Sequence, residues 1–170
     1  MKYSNERKWL KSQGWQVYPA DILLLANQLD EIPYKPQLLI TKNGDKFFVV
    51  ISEKDEFFLS KTEKGLMTGL DLYKYEFLKE IKKVTGIPSA LLFTETTTGK
   101  RIFNQITELQ NPILWHRSNF HCDQHKLDYS GCWRKHAFVT KKMKKRKKQP
   151  MAMWPVENFK DEIKYQAQLI

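Results

Sequence analysis

The sequence predicts a mixed α/β fold, with a central mixed sheet entered through a β-hairpin and flanked by helices. Three observations predict it. Asn43-Gly44 stands between two β-rich runs, Gln37-Leu38-Leu39-Ile40-Thr41 and Lys46-Phe47-Phe48-Val49-Val50-Ile51-Ser52, which is the pattern of a two-residue hairpin. Leu70, Tyr73, Phe77, Ile81 and Val84 recur at helical spacing. Ser89-Ala90-Leu91-Leu92-Phe93-Thr94 then returns to strand composition. A hairpin followed by a helix and another strand requires a crossover, and so a sheet with strands in both directions.

The elements follow in order. Residues 5–13 suit a short helix capped by Ser4 or Asn5 and stopped by Gly14. Asp21 suits the cap of a second helix, Ile22 to Leu29, with Pro33 and Pro36 beyond it. Val49, Val50 and Ile51 in succession imply a strand covered on both faces. Gly65 to Gly69 reads as a loop, and Leu70 to Val84 as the clearest helix, ended by Gly86 and Pro88. Arg101 to Asn104 is a further short strand. Residues 111–150 have no usable periodicity and read as a loop held by metal or by packing. Met151 to Trp154 suits a returning strand, and Val156 to Leu169 a closing helix. Trp9 and Trp15 are expected in the core. The chain thus divides into an α/β core over 1–110, a Cys/His-rich basic insertion over 111–150, and a C-terminal strand and helix over 151–170 that pack back on the core.

The charge is concentrated. Of the formal +10, the run Lys141, Lys142, Lys144, Lys145, Arg146, Lys147 and Lys148 supplies +7. A local cationic run fits an anionic partner such as a phosphate backbone, of DNA or RNA. Arg134 and Lys135 stand close before it, amid Trp115, Phe120, Tyr129, Trp133 and Phe138, an interleaving that can pair phosphates and stack bases. No apolar run approaches the ~20 residues of a membrane-spanning helix, and the N-terminus is polar rather than a signal peptide. A cytoplasmic protein without membrane contact is therefore expected.

All four histidines and both cysteines fall between His116 and His136. Within that window Cys122-x2-His125-x6-Cys132-x3-His136 provides two ligand pairs, each able to grip from a tight turn, as tetrahedral Zn²⁺ requires. Gly131 eases the second turn. His116 and His121 are further imidazoles that could exchange with a ligand. Nothing selects a base beside an open coordination position, so a structural zinc is expected. The spacing His116-x2-Asn119-x-His121 does not place ligands across a hairpin and helix as histidine-metal nucleases do.

The segment from Pro36 to about Leu109 resembles the PD-(D/E)XK, or restriction-endonuclease-like, nuclease superfamily. Residues 36–52 are similar to its first motif strand, hairpin turn and second motif strand. Leu70–Val84 and Leu91-Leu92-Phe93 are similar to its next helix and strand. The resemblance implies a nuclease-like scaffold, and Mg²⁺ if the chain is catalytically active. In that family two carboxylates hold the ion and a lysine acts on the nucleophile. Here the three positions fall on Gln37, about Val50 and about Ser52, which cannot supply that charge. Asp45, Glu53, Glu56 and Asp71 are the acidic residues from which a rebuilt site would have to draw. Three classes follow: a nucleic-acid-binding module on a nuclease-like scaffold, an active metal-dependent endonuclease with migrated residues, and a recruitment or structural subunit of a larger nucleoprotein machine.

Overall fold

The computed structural model describes residues 2–60, 65–115 and 151–161. Helix α1 (Ser4–Ser12) leads into β1 (Gln16–Pro19), α2 (Asp21–Ala26), β2 (Leu38–Lys42) and β3 (Asp45–Lys54). Then come β4 (Phe58–Ser60), β5 (Gly65–Asp71), α3 (Leu72–Thr85), β6 (Ser89–Glu95) and β7 (Lys100–Gln105). The last strands are β8 (Ile113–Trp115), β9 (Met151–Pro155) and β10 (Lys160–Asp161). The predicted mixed α/β class is what forms.

The first sheet has the order β1-β2-β3-β6-β7-β10. The β2–β3 hairpin turns at Asn43 (φ 52) and Gly44 (φ 87), the two left-handed positions that an Asn-Gly turn of this type needs. Strands β3 and β6 run parallel, with Val50 opposite Leu91, and α3 lies in the connection between them. The second sheet, β4-β5-β9-β8, is antiparallel throughout.

Strand alternation sends β3 into two cores. Phe48 and Val50 join Leu91, Phe93, Leu78, Ile81 and Trp154 on the side of α3 and the second sheet. Phe47, Val49 and Ile51 join Trp9, Leu10, Trp15 and Phe103 on the side of α1. The run of buried residues from Phe47 to Ile51 therefore has the doubly covered environment read from its sequence. Trp9 and Trp15 are core residues, as expected, with Trp9 6.0 Å from Phe103 and Trp15 5.8 Å from Phe47 between ring centroids.

Several boundaries differ from the sequence reading, each for a physical reason. The cap of α1 is Tyr3, in the left-handed region, rather than Ser4 or Asn5. The second helix ends at Ala26, short of the expected Leu29. β1 was not expected. It is a four-residue edge strand on β2, where a proline at its end costs no ladder bond to an inner neighbour. Residues 65–71 form β5, not a loop, and α3 begins at Leu72 rather than Leu70. Gly69 is there because a Cβ at that position would lie 2.0 Å from the Ala152 carbonyl oxygen of the paired strand.

At the C-terminal end, Val156–Asn158 is a single 3₁₀ turn and Lys160–Asp161 a strand against β7, so the closing helix expected from Val156 does not form over the described residues. Tertiary contacts outweigh the local helical period here. Phe159 packs 5.6 Å from Phe93, and the Asn104 amide donates to the Asn158 carbonyl at 2.7 Å. No described helix is long and apolar enough to cross a membrane.

Candidate functional site

Gln37 sits just before β2, where its backbone N–H donates to the Val49 carbonyl at 3.0 Å. Its side-chain amide clamps the neighbouring strand in both directions. Oε1 accepts from the Ile51 N–H at 2.9 Å, and Nε2 donates to the Ile51 carbonyl at 3.3 Å. An aspartate has no donor with which to make the second bond. Gln37 is thus fully used as a strap between β2 and β3. Val50 is completely buried in the core shared with α3. Lys54, on the same face of β3 as Ser52 by alternation, places its Nζ 5.4 Å over the Phe93 ring. These positions hold no charge suited to Mg²⁺, and the family's ion does not fit them.

The acidic residues considered for a rebuilt site are scattered. Asp45 opens β3, six residues before Ile51, which is about 20 Å away along an extended strand. Glu53 and Glu56 are exposed. Glu95 is engaged in turn-making, accepting from the Phe57 N–H at 2.8 Å and the Thr98 hydroxyl at 2.7 Å. Among the described residues no three His, Cys, Asp or Glu side chains lie close enough to hold a metal ion.

One chemically distinctive cluster does form, at the start of α3. Asp71 ends β5 and stands at the N-cap position of α3 without a side-chain capping hydrogen bond, and the residue is 7% exposed. Lys74, one turn on, brings Nζ to 3.9 Å from Asp71 Oδ2 and lies over the rings of Tyr34 (5.2 Å) and Tyr73 (6.0 Å). Burial pushes the Tyr34 hydroxyl far above the usual tyrosine range, with Tyr73, Asp71 and Tyr3 adding to the rise. Tyr34 therefore stays an O–H donor at any physiological pH. Sequence reasoning missed this cluster, although Asp71 was among the acids considered. Tyr73 belonged to the predicted apolar stripe, yet it is 43% exposed; of that stripe Ile81 is buried in α3, joined by Leu78, which the stripe did not include. The available signal was the i, i+3 pair Asp71–Lys74 with an aromatic residue between.

The same cluster marks where the insertion leaves the sheet. Asp71 pairs with Met151, and Met151 pairs with Trp115, so the three stand in one row across β5, β9 and β8, about 10 Å from end to end. The predicted zinc ligands Cys122, His125, Cys132 and His136 lie outside the described residues, between Trp115 and Met151. The predicted phosphate contacts Arg134, Lys135, Lys141, Lys142 and Lys144–Lys148 lie there too. The described residues hold fifteen Lys and Arg against fifteen Asp and Glu. Residues 116–150 hold eleven against two, a local charge of +9.

No family model matches the chain, and no curated protein matches it. Among solved structures it is similar to Hjc, a Holliday junction resolvase from the hyperthermophilic archaeon Archaeoglobus fulgidus. That likeness has 11% identity and a TM-score of 0.43, covering 64% of this chain and 80% of the other. No residue here takes a role from it.

Proposed function

We propose that this chain binds nucleic acid, DNA or RNA, through residues 116–150 carried on a nuclease-like α/β scaffold, as a component of DNA processing or of a larger nucleoprotein complex. The observation that supports it is the segregation of charge. A core with no net formal charge carries at one sheet end a 35-residue connection of +9. Arg134, Lys135, Lys141, Lys142, Lys144, Lys145, Arg146, Lys147 and Lys148 neutralise phosphates and release condensed counterions, so affinity falls steeply with salt. Cys122, His125, Cys132 and His136 hold a structural Zn²⁺ that fixes the base of this segment. Base-specific reading is no part of the proposal.

Fluorescence anisotropy on labelled oligonucleotides across a salt series tests the reading. Changing Lys144, Lys145, Arg146, Lys147 and Lys148 together to Ala should flatten the log–log salt slope on duplex by up to about 4.5, at roughly 0.9 for each phosphate left without its cation. An unchanged slope excludes the cationic run as the binding element. The purified chain should also contain zinc that Cys132→Ser releases, with protease cleavage increasing over residues 115–140. Equal resistance in a zinc-free variant would rule out a structural metal.

A further inference from the structure

Among the described residues, Lys74 has a half-buried ammonium that makes no hydrogen bond. Its side chain is 28% exposed, and the Asp71 carboxylate at 3.9 Å lies beyond hydrogen-bonding distance. No hydrogen bond among the described residues engages it, and its other neighbours are two ring faces. The Tyr34 hydroxyl likewise makes no hydrogen bond among the described residues. Beside them the ring of Tyr73 is braced edge-on by Phe77, 6.4 Å between centroids at 89°, and remains 43% exposed. A half-buried cation, an O–H donor and a braced aromatic ring are the parts that hold a nucleotide in sequence-independent single-strand binding.

We infer that Tyr34, Tyr73 and Lys74 form a contact site for one unpaired nucleotide, with Lys74 and Tyr34 donating to a phosphate and a base stacking on Tyr73. The inference rests on the nucleic-acid reading above and extends the interface onto the described core. The nucleotide must be unpaired, because duplex stacking hides the base faces that Tyr73 would meet. The position fits, since Asp71 shares a strand row with the residues from which the +9 segment leaves. The Asp71 carboxylate, 3.9 Å from the ammonium, opposes the incoming phosphate with its charge.

The test measures binding of labelled single-stranded DNA, single-stranded RNA and a duplex of matching sequence. Tyr73→Ala should weaken single-strand binding roughly fivefold to a hundredfold and leave duplex binding nearly unchanged. Tyr73→Phe should retain it. Lys74→Met should lower the single-strand salt slope by about 0.7, whereas Lys74→Arg should preserve it. Asp71→Asn should bind single strands more tightly than wild type, because it removes the charge that opposes the phosphate, a result that a merely structural ion pair would not give. If Tyr73→Ala and Lys74→Met bind single strands like wild type while the Lys144–Lys148 variant is impaired, the inference is overturned and the broader reading stands. If wild type binds none of the three probes, both are overturned. If the Lys144–Lys148 variant is unimpaired but Tyr73→Ala is weakened, the core site stands and the cationic run is not the binding element.

Discussion

Gly69→Ala is expected to destabilise the protein by about 3 kcal/mol or more, although it adds a single methyl group. The position lies in β5, paired with Met153 of β9. A Cβ there would stand 2.0 Å from the Ala152 carbonyl oxygen, 2.9 Å from its carbon and 2.7 Å from Met153 Sδ. The methionine can swing aside, because its thioether has soft torsions. The carbonyl cannot, because it belongs to the partner strand and moves only if β5 and β9 separate. Separation would disturb Trp154, which is completely buried in β9, lies 5.6 Å from the Tyr75 ring and donates through its indole N–H to the Gln110 carbonyl at 2.9 Å. With urea m-values of about 1–3 kcal/mol/M, the midpoint should fall by roughly 1–3 M. A wild-type midpoint for Gly69→Ala would mean that β5 and β9 do not approach in this register.

Gly69 also explains which parts of the fold are legible in the sequence. The hairpin, the strand of β6 and most of α3 announce themselves through local rules: an Asn-Gly turn, period-two runs and a 3.6 period. β5 does not, because its two glycines mimic a loop, and the reason for Gly69 is a contact with a strand more than eighty residues further on. The strand at Lys160–Asp161 is hidden for the same reason, since Phe159 is drawn to Phe93 and Trp154 across the core. The Tyr34–Asp71–Lys74 cluster is hidden because Tyr34 reaches it from a loop far away in sequence. Tyr73, moreover, satisfies an apolar periodicity while facing solvent at the edge of the helix's buried face. That Gln37, Val50 and Ser52 carry no metal-binding charge was legible as chemistry. That Gln37 is a two-way backbone clamp was not, because nothing in sequence pairs residue 37 with residue 51.

Val50→Glu should remove the fold at neutral pH, at a cost of about 4 kcal/mol or more, rather than restore a metal ligand. Val50 has no exposed surface and packs in the apolar cluster of Phe48, Leu91, Phe93, Leu78 and Ile81. A metal-holding carboxylate needs an opening to its ion and substrate, whereas Val50 lies in the hydrophobic core. The pH dependence identifies the cause. A carboxyl buried in such surroundings has its pKa raised above the unfolded value of about 4.3. The variant's deficit should therefore be smallest below about pH 4, where the group is neutral in both states, and grow as pH rises above that value. Urea unfolding of wild type and variant at acidic and neutral pH measures this directly. If Val50→Glu instead folds normally at neutral pH and binds Mn²⁺, position 50 faces an open cleft rather than the core. The scaffold would then hold a metal at that position, and the binding-module reading would give way to a search for the other ligands.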